Sequence, residues 1–249
     1  MHYRNHMVLA LLLTAGGARA QTKRTEHVGQ TWLGYFNQAR LSDRWGLWLE
    51  AQGRTRERGV EGLSQGIARL GLTYYLNDAT KATAGYAFVN HFPADNHMEI
   101  SQPEHRLWQQ LQWHTKYGRL RTMQWFRLEE RYRRRILNDS TLGSGFNFNL
   151  RARYNFLLQV PLAAEVKQGS LSVIANNEIH INFGKAIVNN YFDQNRFFLG
   201  FAYHVNAHDN LQFGYLNIFQ QLAAGNRYKA THAARIYFFH NLDLRKKRS

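Results

Sequence analysis

The feature that most constrains this chain is an alternation of period two that runs through nearly its whole length. In FNFNLRARYNFLL, residues 146–158, every even position from Phe146 to Leu158 is apolar. The odd positions carry Asn147, Asn149, Arg151, Arg153 and Asn155. Successive side chains of a strand point to opposite faces, so this segment is extended, with one oily face and one polar face. RWGLWLEAQGRTR, residues 44–56, repeats the pattern. Trp45, Leu47, Leu49 and Ala51 share one face; Arg44, Glu50, Gln52, Arg54 and Arg56 share the other. A helix would bring its apolar residues back every three or four positions, and neither segment does so.

The same reading predicts eleven strand-like segments, near 30–41, 44–56, 63–76, 80–91, 104–115, 119–133, 146–159, 170–183, 195–205, 210–221 and 231–244. No convincing helix, domain boundary or low-complexity linker interrupts them. Short, turn-rich connections fall at 42–43, 77–79, 116–118 and 206–209. Longer ones fall near 57–62, 92–103, 134–145, 184–194 and 222–230, with 160–169 longer than its place in the series predicts. Short turns on one side and long loops on the other are the asymmetry of outer-membrane barrels.

Two architectures share this pattern. In a soluble sandwich or lipocalin-like barrel the oily face lines the core and would bind an apolar ligand. In a membrane barrel it meets lipid, and the polar face lines a lumen. Three observations favour the membrane barrel. Arg, Glu, Asn, Gln and His recur on the polar face of nearly every segment. Aromatic residues stand near the ends of the oily faces: Tyr74, Phe88, Trp113, Phe126, Tyr132, Phe146 and Phe156. The segments also exceed the roughly 5 to 6 residues usual for soluble strands and reach the roughly 9 to 11 of a tilted span. The expected fold is therefore all-β: a transmembrane, up-and-down antiparallel barrel of about 10 to 12 strands. Twelve is preferred, because bacterial single-chain barrels have even strand numbers.

The N-terminus predicts where such a barrel would go. MHYRNHM, the apolar run VLALLLTAGG and the small residues of ARA follow the three-part plan of a secretory signal peptide. The apolar run is too short for a membrane helix, which needs roughly 20 residues. Residues 1–20 are thus expected to be a leader and 21–249 the barrel. Removing 1–20 takes away Arg4 and Arg19 and no acid, which lowers the formal charge from +15 to +13. Such a charge often marks a nucleic-acid binder. Export, and arginines that alternate with an oily face, argue against that partner. With no cysteine, disulfides, zinc-thiolate sites, thiol catalysis and a lipid-modified N-terminal cysteine are excluded.

The chain resembles a family of uncharacterised outer-membrane barrels, domain-of-unknown-function family 2490. The resemblance rests on TWLGYFNQARLSDRWGLWLEAQGR at 31–54, RLEERYR at 127–133, NNEIHIN at 176–182, and DQNRFFLGFAYHVN at 193–206 followed by LQFGYLNIFQQ at 211–221. It implies fold and location, the outer membrane of a Gram-negative bacterium, and no activity. The ending LDLRKKRS lacks the common terminal aromatic, so Leu242 and Leu244 are expected to close the last strand ahead of a basic tail.

Alternation places a polar network in the expected lumen: Glu50, Arg54, Arg127, Glu129, Arg131, Arg151, Arg153, Glu178, His180 and Arg196. Three readings stay open for it. The side chains interlock and fill the barrel; the arginine surplus selects anions in a narrow, porin-like pore; or Glu178 and His180 act as a base and its orienting partner. No hydrolase motif and no metal site is specified by the spacing, and no cofactor is expected. A second group, Arg133, Arg134 and Arg135, with Arg54, Arg56 and Arg58, is expected at the outer rim. Guanidinium there suits the phosphates of lipopolysaccharide. The expected partners are outer-membrane lipid, lipopolysaccharide and, during insertion, the barrel-assembly machinery; oligomeric state is not readable from the chain.

Overall fold

The computed structural model describes residues 23–56, 62–93, 99–206 and 208–245. The expected leader and Arg58 lie outside the described residues. Eleven strands follow one another: β1 (Arg24–Arg40), β2 (Trp45–Thr55), β3 (Leu63–Tyr75), β4 (Thr80–His91), β5 (Gln102–Tyr117), β6 (Leu120–Asn138), β7 (Thr141–Pro161), β8 (Leu171–Phe183), β9 (Phe192–His204), β10 (Asn210–Gln221) and β11 (Arg227–Asp243). Each pairs with its sequence neighbour in antiparallel fashion, and β11 pairs with β1 to close a barrel.

That closure corrects two expectations, the preference for twelve strands and the wholly antiparallel wall. With eleven strands, β1 and β11 run in the same direction, so they pair parallel, from Arg24 opposite Arg227 to Arg40 opposite Asp243. Evenness is required only when the closing pair must be antiparallel. A parallel ladder is slightly weaker per residue, and here it extends along all 17 residues of both strands.

The turns at one end are built as their residues dictate. Asn77 Oδ1 accepts from the backbone N–H of Ala79 and Thr80 at 2.9 and 2.8 Å. Asn206 does the same for His208 and Asp209 at 2.8 Å each. Both are side chains that copy a backbone turn. Gly118, at φ 57°, supplies the left-handed residue between β5 and β6. At the other end one expectation fails. The stretch 134–145 is not a long loop: β6 runs to Asn138 and β7 starts at Thr141, with register shifts near Ile136. The strands themselves continue, so the hairpin is extended beyond its neighbours.

The wall is inside-out relative to a soluble barrel. Every strand presents a large apolar side chain outward with no cover, among them Leu33, Leu49, Leu70, Tyr86, Leu107, Phe126, Phe148, Ile179, Leu199, Tyr215 and Ile236. Leu70 is 53% exposed and Leu33 52%. Glu104, Glu129 and His180, pointing inward, are fully buried. The polar tips that do face outward meet one another. Tyr86 and Tyr215 hydroxyls lie 2.5 Å from the Nδ1 atoms of His105 and His232, and Tyr35 lies 2.9 Å from His240. Asn177 and Asn195 exchange amide hydrogen bonds. No helix among the described residues is long and apolar enough to cross a membrane, a statement that does not bear on strands.

Candidate functional site in the barrel lumen

The lumen is lined from the same alternation. On β6 and β7 the odd positions point inward, and the register sets Glu129 opposite Arg151 and Arg127 opposite Arg153. The neighbouring registers set Glu50 opposite Arg69 and Glu178 opposite Arg196. These pairings convert separate alternating strands into one connected set of charges.

Glu129 is its hub. Its Oε2 accepts from Arg151 Nη2 at 2.5 Å and Nε at 3.0 Å. Its Oε1 accepts from Arg153 Nη1 at 2.6 Å and Arg69 Nη2 at 3.3 Å. Arg106 and Arg127 stand at 3.7 and 3.9 Å. Each of the closer arginines has a further carboxylate. Arg69 reaches Glu50 at 2.6 and 2.7 Å, Arg151 reaches Asp193 at 3.0 Å, and Arg153 donates from Nε to Glu178 at 2.7 Å. Arg69 on β3 thereby spans to Glu129 on β6, across the lumen face of β4 and β5. A second knot surrounds Glu104, which accepts from Arg106 and Arg131 at 2.6 Å each and from Arg133 at 3.0 Å. His91 Nε2 lies 2.9 Å from the same carboxylate. Buried charges demand this degree of pairing, because an unpaired one costs several kcal/mol, on the order of 3–5 when one partner is removed.

The opposite wall is apolar, which sequence reasoning missed. Trp32, Phe36, Trp48, Phe198, Leu216, Ile218 and Tyr237 point inward and pack with Trp108 into one cluster. Trp48 sits on the polar face of its segment, and Phe198 lies between outward Phe197 and Leu199, so simple alternation hides both. The Trp108 ring packs against a notch in the wall. Gly71 and Gly85 are directly paired there, and a Cβ on Gly71 would come within 2.8 Å of the Trp108 ring. Also missed were Arg69, Glu104, Arg106, Asp193 and Arg235. Alternation alone could have found Arg69, opposite in face to Leu70 and Leu72, and Arg235, opposite to Ala234 and Ile236.

Between the two walls lies a cavity of about 690 Å³. Its lining runs from Gln38, His114 and Arg121 near the short turns to Gln65, His91 and Arg133 near the other end. Apart from Arg121 at the short-turn end, the lumen holds, among the described residues, ten arginines, Arg54, Arg69, Arg106, Arg127, Arg131, Arg133, Arg151, Arg153, Arg196 and Arg235, against five carboxylates, Glu50, Glu104, Glu129, Glu178 and Asp193. Four of these ten arginines find no carboxylate at hydrogen-bond distance and rest on amides and rings instead. Arg54 donates to Gln65 and Gln52 at 2.5 and 3.2 Å and lies 3.6 Å from the centre of Trp32. Arg235 donates to Gln212 at 2.9 Å and lies 3.3 Å from the centre of Phe198. Arg127 donates to Gln110 at 2.8 Å between Trp108 and Trp125. Arg196 donates to Gln194 at 3.4 Å, with Glu178 at 3.7 Å. Guanidinium over an aromatic face is a favourable substitute for ion pairing.

All ten residues singled out as a lumen network face inward. His180 is sealed within the wall. Its Nε2 stands 2.8 Å from Glu178 and its Nδ1 4.0 Å from Asp193, and it does not line the cavity. The rim group divides. Arg133 turns inward to Glu104, so it is not a free rim cation. Arg134 lies opposite Phe146 on the outer face, 5.4 Å from its ring, and Arg135 sits at the register shift beside it. No group of three or more potential metal ligands occurs among the described residues.

Among known proteins, one family model matches residues 29–229; its description is Protein of unknown function (DUF2490). No curated protein matches, and no solved structure matches.

Proposed function

The chain belongs to the DUF2490 family, and from that premise we propose that it is an integral outer-membrane barrel whose narrow lumen attracts small anions. One observation carries the membrane reading: large apolar side chains stand uncovered on the outside of every strand, while Glu50, Glu104, Glu129, Glu178 and most of the arginines that pair with them are buried inside. In water such a surface would far exceed the few hundred Å² of contiguous apolar patch that soluble monomers tolerate. The outward tyrosine–histidine and asparagine–asparagine pairs support the same reading, since polar tips in hydrocarbon need each other in place of water. A soluble barrel for an apolar ligand would require the opposite distribution.

The lumen supports the second half of the proposal. The Glu129 and Glu104 knots fill one wall and narrow the bore, and the uncompensated arginines leave the remaining space positive. An enzyme is less well supported, because His180 is sealed away from the cavity and Glu178 is held by Arg153. The proposal is tested by fractionation and by reconstitution. Recovery in the outer membrane, with heat-modifiable migration on a gel, is expected; recovery in the soluble periplasm would refute it. In planar bilayers a small, anion-selective conductance is expected, and cation selectivity would refute the lumen reading.

A further inference from the structure

We propose that the lumen contains a built site for an organic anion with an apolar body, centred on Trp32. This rests on the anion-attracting lumen proposed above and specifies what occupies it. The registers place Arg54 and Arg235 directly on either side of Trp32, across three adjacent strands. Arg196 arrives from β9, with its guanidinium 5.1 Å from the same indole ring. Two guanidinium groups, those of Arg54 and Arg196, thus converge on Trp32, with that of Arg235 over the neighbouring Phe198 ring; the one carboxylate beside them is Glu178, 3.7 Å from Arg196. The Nε atoms of Arg54 and Arg235 are buried and donate to nothing. A buried donor left unmet costs about 1–3 kcal/mol, and a charged one more. Among the described residues, the Nη groups of Arg54 and Arg235 donate only to the amides of Gln65, Gln52 and Gln212, so the positive charge of this corner is not matched by a carboxylate at hydrogen-bond distance.

What surrounds those donors selects the ligand. Phe198, Leu216 and Ile218 form the adjoining apolar wall, so a bare inorganic anion would leave that surface wet. The lumen cavity, about 690 Å³ over its whole length, has room for a small molecule, and small-molecule sites combine an apolar lining with a few placed polar groups. A flat or acyl body with one carboxylate satisfies both walls: the carboxylate accepts from the guanidinium forks, and the body lies along the aromatic wall.

The test uses the full mature chain in lipid nanodiscs, titrated calorimetrically with 2-naphthoate, with its neutral isostere 2-naphthalenemethanol, and with inorganic phosphate. Naphthoate is expected to bind at least about tenfold more tightly than either control, a difference of about 1.4 kcal/mol. The paired variant Arg54→Gln/Arg196→Gln is expected to remove that advantage, and Arg54→Lys/Arg196→Lys to retain part of it. Equal binding of naphthoate and phosphate would show that charge alone acts, and equal binding of naphthoate and its alcohol would show that the arginines do not; either overturns the site. If the glutamine pair does not fold, as judged by heat-modifiable migration, the wild-type comparison with the two controls decides alone. Absent naphthoate binding with anion selectivity intact sinks only this site, whereas lost anion selectivity sinks the lumen reading beneath it.

Discussion

Glu129 and Glu130 are adjacent in the chain and point to opposite sides of the wall, so replacing each by glutamine is a two-sided test of the whole arrangement. Glu129→Gln removes the charge that holds Arg151 at 2.5 Å and Arg153 at 2.6 Å, with Arg69 at 3.3 Å. Two opposite charges about 4 Å apart interact by about 4 kcal/mol at an effective dielectric constant of about 20. Summing such pairs would overstate the loss, because each of these arginines keeps a second carboxylate: Asp193, Glu178 and Glu50 respectively. The expected cost is that of breaking one buried pair, about 3–5 kcal/mol. Glu130 faces outward between Leu107 and Leu150, where Gln109 donates to it at 3.5 Å. Neutralising it removes a charge from the outer face and, if that face meets lipid as proposed, should be neutral or stabilising by up to about 1 kcal/mol. The assay is urea unfolding of the barrel in phospholipid vesicles, followed by tryptophan fluorescence and checked by heat-modifiable migration. Equal costs for the two variants, or a Glu129→Gln cost below about 1 kcal/mol, would refute the assignment of inside and outside.

Three further outcomes are expected. Leu70→Arg places a cation at an outward position that is already 53% exposed; in a bilayer it should cost about 2–4 kcal/mol near the midplane, whereas a water-soluble barrel would tolerate it, and vesicle unfolding separates the two. Gly71→Ala brings a Cβ to within 2.8 Å of the Trp108 ring and 2.9 Å of Thr83 Cγ2, so it should destabilise by about 1–3 kcal/mol through overpacking, visible as a lowered temperature for the gel-mobility change. Arg134→Gln with Arg135→Gln should reduce co-purifying lipopolysaccharide, measured by phosphate or sugar assay on the washed protein; unchanged retention would argue that these guanidiniums are only solvated rim charges.

Much of the wall was legible in the chain because a strand's faces are set locally. The alternation located all eleven strands, usually to within a few residues, and put Arg151, Arg153, Glu178 and Arg196 on the inward face. It failed where alternation stops being informative. Trp48 and Phe198 point inward from positions that read as polar or as part of an apolar run, because this lumen has an oily wall of its own. It also misread 134–145, where β6 and β7 continue past the point at which their neighbours turn.

The sequence by itself determined that the chain is extended, two-faced and rich in inward arginine, since period two is a property of neighbours along the backbone. Only the tertiary structure decided that β11 closes on β1 in parallel. Only it decided that Glu129 gathers Arg69, Arg151 and Arg153, and that Arg54 and Arg196 meet around Trp32 while Arg235 lies over Phe198. These partnerships depend on register and closure. Register relates residues far apart in the chain, and a shift of one residue turns every side chain to the other face. An arginine's inward direction is therefore written locally, while its partner is fixed only when the barrel closes.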